Sequence, residues 1–189
     1  MTELRKKALK LTETLEMPKP DKTKLRKWDF DTFKQHHTTG DAYTQLTDLP
    51  KSVKEIIDVE NSENLIIQHN NELAYTQVSD QAKHDGVIIE GLSEALVNHS
   101  DLVQKYFMTK AVDVDEHRLT ALHTALVNGG IFVYVPKNTV VEHPIQYVVL
   151  HDDEQASFYN HVIIVTEESA EVTYVENYLS TTSGEDNQL

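Results

Sequence analysis

The residues most able to carry chemistry are histidines, of which this 189-residue chain has 10. His143, His151 and His161 lie on or beside apolar runs that predict strands. Imidazole and carboxylate ligands suit iron, manganese and zinc, so these histidines could form a cupin-like metal site with Glu142. A cupin places two histidines one residue apart on a strand, and this chain has no His-X-His pair. The pattern therefore predicts no metal site, and a cupin-like metal-binding enzyme is kept as an alternative.

The other two pairs of histidines are not placed to share a metal ion. His36 and His37 are neighbours in a polar loop, where adjacent side chains point apart. His117 and His123 are six positions apart on a predicted helix, which places them about 120° from a common face. The chain has no H-E-X-X-H motif. These four residues are not predicted to bind a metal.

Motifs for nucleophilic and nucleotide chemistry are missing as well. The chain has no cysteine, no G-X-S-X-G motif and neither of the common glycine-rich phosphate motifs. Asp152-Asp153 and Glu167-Glu168 are acidic pairs in predicted turns, where carboxylates are usually solvated. We therefore predict no catalytic, cofactor-binding or metal-binding residue, and we expect that the chain is not an enzyme.

The predicted secondary structure changes from helix to strand at Gly129-Gly130. Leucine and alanine residues over 119–126 repeat at helical spacing and predict a helix, which the two glycines are expected to end. Ile131–Val135 then predicts a buried strand, and Pro136 ends it because proline cannot donate to a strand ladder. The glycines follow a helix rather than precede one, so they are not expected to hold a phosphate.

Residues 1–127 predict a mixed, helix-rich N-terminal region. Helices are predicted for an amphipathic stripe from Leu4 to Leu15, for 52–58, and for 93–107 with a break near 98–100. Strands are predicted over 64–69, 73–78 and 86–90, the first two joined by a hairpin turn at Asn70-Asn71. Asp113 or Asp115 is expected to cap the helix that leads to the glycines.

Three aromatic residues stand out in an otherwise charged segment near the N-terminus. Trp28, Phe30 and Phe33 are expected to pin the N-terminal arm onto the body, because each can bury a large area at one point. An aromatic patch that binds a ligand is the less favoured alternative.

After Gly130 the pattern changes to strands. Apolar runs recur at 131–135, 145–150, 162–165 and 172–175, separated by polar turns. No helical period intervenes, so parallel strands joined by helices are not expected. The spacing is compatible with a sandwich, a cupin-like barrel or a β-solenoid, and periodicity alone does not choose among them.

Composition and charge restrict the function classes. An apolar content of 39% and a charged content of 25% are ordinary for a globular protein. No apolar run of about 18 residues and no secretory signal is present, so a soluble cytoplasmic protein without membrane contact is predicted. Residues 1–34 carry a net charge of +4 and the other 155 carry −18. Strong negative charge argues against nucleic acid as a partner.

Several of these segments resemble the SufB/SufD family of iron–sulfur cluster assembly scaffold proteins. The resemblance is most specific over 128–137 and 141–145, and it extends to Met17-Pro18, Trp28-Asp-Phe30 and 161–180. The N-terminal segments are closer to the SufD branch than to the SufB branch. The resemblance implies a right-handed parallel β-helix, with residues 1–127 as the N-terminal region, 128–180 as the first coils and 181–189 as a polar tail or truncation point.

The resemblance also implies a non-catalytic scaffold role and a set of partners. SufB-like and SufC-like proteins would bind through regions largely beyond residue 189, because family members are more than twice as long as this chain. We therefore expect an N-terminal fragment, with no cofactor within this segment and weak self-association through an exposed last coil. The alternatives are the cupin-like metal-binding enzyme and a free-standing interaction module that works through the N-terminal helices.

Overall fold

A computed structural model describes residues 1–30 and 40–180. The helices are α1 (Thr2–Leu11), α2 (Lys51–Lys54), α3 (Asp80–His84), α4 (Leu92–Asn98), α5 (Ser100–Tyr106) and α6 (Arg118–Leu126). The strands are β1 (Asn64–His69), β2 (Glu72–Gln77), β3 (Ile88–Gly91), β4 (Ile131–Val135), β5 (Ile145–His151), β6 (Ile163–Thr166) and β7 (Tyr174–Ser180). His36, His37, Phe33 and residues 181–189 lie outside the described residues.

The strands form two mixed sheets. The four-stranded sheet has the order β2-β1-β5-β7, and the three-stranded sheet has the order β3-β4-β6. The two outer pairs on the N-terminal side, β1 with β2 and β3 with β4, are antiparallel. The pairs β1 with β5, β5 with β7 and β4 with β6 are parallel. The fold class is therefore mixed α/β, and no closed barrel or complete solenoid is present in the described part of the chain.

Successive strands after Gly130 alternate between the two sheets. The chain runs from β4 in one sheet to β5 in the other, returns to β6 beside β4, and then to β7 beside β5. Phe132 pairs with Ile163, 31 positions later, and Ile145 pairs with Tyr174, 29 positions later. Each turn of the chain is thus stacked on the previous turn in nearly constant register. We call the turn that contains β4 and β5 the first rung and the turn that contains β6 and β7 the second rung.

Apolar side chains fill three layers around these sheets. The central layer lies between the sheets and includes Ile66, Val133 and Val149. A second layer packs the three-stranded sheet against α1, α4 and α5, and a third packs the four-stranded sheet against α2. Both faces of the central strands are covered, which explains why β5 is buried at every position and is mostly apolar.

Most local predictions are confirmed. The hairpin turns at Asn70, which has a φ of 54° and so adopts the left-handed conformation that asparagine tolerates. The helical segment 93–107 is divided at His99 into α4 and α5, as the sequence predicted. The predicted helix over 52–58 is shorter, because α2 ends at Lys54 and a turn follows. The first helix likewise ends at Leu11, before Leu15.

The predicted cap of α6 is wrong. His117, rather than Asp113 or Asp115, occupies the N-cap position, and its Nδ1 accepts a hydrogen bond from the Thr120 amide at 3.1 Å. The Thr120 hydroxyl in turn accepts from the His117 amide at 3.1 Å, which completes a capping box. An imidazole nitrogen therefore replaces the expected carboxylate.

The predicted role of Gly129-Gly130 is also wrong. Helix α6 ends at Leu126, and the next residue, Val127, is already extended, so the helix stops before the glycines. Gly130 instead has a φ of 128°, and a Cβ there would overlap the backbone carbonyl of His161 on the second rung. Glycine is required because two stacked turns of the chain approach each other closely at this point.

None of the helices in the described part of the chain has the length and hydropathy that a membrane crossing requires.

Gly130→Ala tests the close approach between the rungs. We expect the substitution to lower the free energy of unfolding by about 3 kcal/mol, or to prevent folding, since it combines a strained φ with a backbone clash. Urea unfolding monitored by circular dichroism measures the change. Gly91→Ala is the matched control, because a Cβ at Gly91 meets only ordinary side-chain contacts at 3.5 Å or more. An equal loss of unfolding free energy in the two variants would contradict the requirement for glycine at position 130.

Candidate functional site

Polar side chains meet at one end of the core between the two sheets. Gln68 of β1 and Tyr147 of β5 are 2% and 0% exposed, respectively. The Tyr147 hydroxyl donates to Gln68 Oε1 at 2.6 Å and lies 3.0 Å from the side-chain amide of Asn160. The Gln68 oxygen also accepts the Gly130 amide at 2.9 Å, and the Gln68 amide nitrogen donates to the Asn70 carbonyl at 2.8 Å. All hydrogen-bonding atoms of this buried amide are therefore in use.

Strand register explains how Gln68 and Tyr147 come together. Tyr147 pairs with Ile66 across β1 and β5, so both side chains point to the same face. Gln68 is two residues beyond Ile66 and thus points to the same side, into the core. A Cβ at Gly129 would lie within contact distance of the Gln68 amide and 3.0 Å from Phe158. Glycine at position 129 therefore makes room for the buried amide.

The polar cluster continues onto the second rung. The Asn160 side-chain amide donates to the Tyr178 hydroxyl at 2.7 Å. The Tyr174 hydroxyl donates to the Glu176 carboxylate at 2.7 Å. Burial raises the pKa of Tyr147 and Tyr174 well above the ordinary value for tyrosine. Burial, with a hydrogen bond to Glu176, raises the pKa of Tyr178 to about 12. The three phenols therefore stay neutral hydrogen-bonding groups across the physiological pH range.

A histidine pair borders this cluster. His123 Nε2 of α6 lies 2.8 Å from His161 Nδ1, and the ring of Phe107 packs on His161 with centroids 4.7 Å apart. One imidazole must donate and the other accept, so the pair cannot be doubly protonated without repulsion. Burial and the neighbouring His123 lower the pKa of His161 to about 4, and burial lowers the pKa of His123. Both rings are neutral at neutral pH.

A cavity of about 430 Å³ opens at the border of the polar cluster and the histidine pair. Its lining residues are His123, Phe158, Tyr159, Asn160 and Tyr178. The polar groups that reach it are neutral donors and acceptors on aromatic walls. Such a lining suits non-covalent binding more than acid–base chemistry, because none of the described lining residues is a carboxylic acid or a cationic base.

The histidines of the cupin-like alternative are not brought together. His143 Nδ1 lies 3.5 Å from a carboxylate oxygen of Glu63, and His151 stacks on Phe158 with centroids 5.6 Å apart. His161 instead joins His123, which the helical spacing with His117 did not suggest. Within residues 1–30 and 40–180 there is no group of three or more histidine, aspartate or glutamate side chains that could hold a metal ion.

Sequence reasoning missed His69, which anchors an acidic turn. Its Nδ1 accepts the Asp41 amide at 2.8 Å, which places the ring proton on Nε2, 3.0 Å from a carboxylate oxygen of Asp152. Asp152 was predicted to be solvated. It instead takes part in a structural contact with His69. Glu168 of the other acidic pair is exposed and forms an ion pair with Lys137, as expected for a turn.

Comparison with known proteins relates the whole chain to one family. Residues 1–147 match the family described as SufBD protein N-terminal region. The iron–sulfur cluster assembly protein SufD of Bacillus subtilis is 48% identical over 184 residues, which cover 97% of this chain and 42% of that protein. A SufBD family protein of Staphylococcus epidermidis is 27% identical over 186 residues, covering 93% of this chain and 39% of the relative. The chain thus spans less than half the length of these relatives.

The histidine pair generates a pH prediction. The pKa of His161 is about 4 in the folded chain and about 6.5 when unfolded, so the unfolded state binds more protons between these values. The corresponding stability is complete above pH 6.5 and is lost as the pH falls toward 4. We expect the loss to be roughly 2 kcal/mol after allowance for partial exposure of the ring.

Urea unfolding of the wild type and His161→Gln from pH 7.5 to 4.5 measures this loss. The variant removes the titrating group, so the difference in unfolding free energy between the two proteins should shrink as the pH falls. His84→Gln is the control, since this side chain is 84% exposed on α3. A difference that is independent of pH would rule out His161 as a neutral, buried group.

Proposed function

The chain belongs to the SufBD family, and from this membership we propose that it is the N-terminal part of a SufD-like scaffold component of SUF iron–sulfur cluster assembly. The observation that best supports the proposal is the pair of stacked rungs, whose second rung presents two sheet edges at once. The scaffold acts by holding other proteins in place, and iron or the cluster is its cargo.

The second rung has features that suit further stacking. Strands β6 and β7 each form the outer edge of their sheet in the described part of the chain. Ile164, Val175 and Tyr178 on this rung are 39%, 41% and 43% exposed, respectively. Exposed apolar side chains beside unpaired backbone groups are typical of a surface that another strand covers. We propose that the next rung of a right-handed parallel β-helix covers it.

The opposite side is suited to be a cap. Antiparallel strands β2 and β3 border the two sheets there, and helices α3 and α4 follow those strands directly. A solenoid needs such a closing element at each end, because its core is buried only between stacked turns. This division supports residues 1–127 as an N-terminal capping region and 128–180 as the first coils, followed by the polar segment 181–189.

The proposed role has no catalytic step within this segment. Cysteine thiolates are the usual protein ligands of iron–sulfur clusters, and the chain has no cysteine. The buried tyrosines and histidines described above are neutral hydrogen-bonding groups. We therefore propose that the segment holds no cofactor and that SufB-like and SufC-like partners bind mainly through regions beyond residue 189.

Affinity capture tests the scaffold role. The full-length SufD relative and this 189-residue chain would each be immobilised and exposed to the SufB-like and SufC-like proteins of the same organism. We expect the full-length protein to retain both partners and this chain to lose the SufC-like partner, because the proposed contact lies beyond residue 189. If the full-length protein retained neither, the scaffold proposal would fail.

Sedimentation velocity of this chain alone tests whether the second rung is open. The exposed rung is expected to cause weak self-association, which Val175→Lys reduces by placing a charge on the edge strand β7. Val97→Lys on α4 is the matched control, since this valine is 80% exposed but is not on an edge strand. A concentration-independent monomer in the wild type, or equal effects of the two lysines, would argue against an open rung.

A further inference from the structure

A groove near the N-terminus is separate from the stacked rungs. The chain leaves α1, forms a short helical turn at Leu25–Lys27 and passes beside the first residue of α6. The groove has a volume of about 730 Å³, and its lining residues are Met17–Pro20, Thr23–Leu25, Trp28–Phe30 and Arg118. The polar cluster contributes none of these residues.

The floor of the groove is aromatic and exposed. The rings of Trp28 and Phe30 are nearly parallel, with centroids 6.3 Å apart and an interplanar angle of 6°. Trp28 is 64% exposed, so the prediction that it pins the N-terminal arm onto the body is wrong. A large aromatic surface that stays in water in the lining of a groove gains much from burial by a partner.

The charge around the groove is opposite to that of the rest of the chain. Its lining includes Lys19, Lys24 and Arg118 against one carboxylate, Asp29. The ammonium group of Lys19 is 2.7 Å from Glu16, which offsets part of its charge. Residues 1–34 nevertheless carry +4 against −18 for the remainder. An acidic segment is therefore attracted to this groove and repelled from other faces of the chain.

The composition of the groove favours an extended peptide. Pro18 and Pro20 line the groove together with the paired rings, and proline and aromatic side chains lose little conformational entropy on binding. Grooves lined by aromatic rings bind extended, proline-containing segments in other proteins, and clusters of cations bind acidic motifs. A nucleic acid fits less well, because it needs a basic track along several phosphates and the whole chain has a net charge of −14.

We propose that this groove binds an extended, acidic segment of a partner protein that carries an aromatic or proline residue. The apolar residue of the partner covers Trp28, and its carboxylates face Lys24. This surface is additional to the scaffold role and does not depend on the stacking of further rungs.

Trp28 is the only tryptophan of the chain, so its fluorescence reports directly on the groove. The 189-residue chain would be titrated with the capped peptide Pro-Glu-Phe-Glu-Pro-Asp at low salt. We expect a saturable change in Trp28 emission, with an affinity that weakens at least fivefold between 50 and 500 mM salt. No saturable change up to millimolar peptide would overturn the proposal.

Variants distinguish specific binding from general charge attraction. Lys24→Glu is expected to weaken binding about tenfold, and Lys83→Glu, which makes the same charge change on α3 outside the groove, less than twofold. With a labelled peptide and anisotropy detection, Trp28→Ala should abolish binding and Trp28→Phe should restore most of it. Urea unfolding confirms that each variant is folded.

Two competing ligands complete the test. The same peptide with lysine and arginine in place of its acidic residues should not bind, and an oligothymidylate of eight nucleotides should bind more weakly than the acidic peptide. Equal binding of the basic peptide would overturn the charge argument. Tighter binding of the oligonucleotide would overturn the assignment of a protein partner. Equal effects of the two lysine reversals would show that the groove is not the binding site.

Discussion

The nearly constant register between the two rungs is the constraint on which the rest of the structure depends. Strands 29 to 31 positions apart lie side by side in both sheets. A side chain that points into the core on the first rung is therefore paired with one that points the same way on the second rung. The same register continues in isolated bridges between the two rungs, where Gly129 pairs with Asn160 and Val140 with Glu171. A shift by one residue would turn apolar side chains out of the central layer.

The buried polar cluster makes this register specific. Gln68 touches the first rung through Gly130 and Tyr147, and Asn160 carries the cluster to Tyr178 on the second rung. A buried amide whose oxygen and nitrogen are both hydrogen-bonded tolerates little displacement, because an unpaired partner costs about 1–3 kcal/mol. The cluster therefore ties the N-terminal hairpin to both rungs. Its phenols remain neutral hydrogen-bonding groups at physiological pH, which fits a structural role.

Local structure was predictable from the sequence where the signal was local. The turn at Asn70 and the break at His99 follow from residues next to each other, and both were predicted. Gly129-Gly130 was misread because a helix stop and a close approach of two chain segments use the same residue. What requires glycine there is the carbonyl of His161 and the amide of Gln68, 31 and 61 positions away in the sequence. The sequence predicted a strand at Gln68 but not its hydrogen bonds, because the Tyr147 hydroxyl that donates to it is 79 positions away.

Hydrogen–deuterium exchange tests the account of an open second rung most directly. In this chain, amides of β6 and β7 should exchange much faster than those of β4 and β5, because within residues 1–30 and 40–180 no strand pairs with the outer side of β6 or β7. In the full-length SufD relative, the strands aligned with β6 and β7 should be protected to the same degree as the first rung. Equal exchange of the second rung in the two proteins would contradict the claim that further rungs cover it.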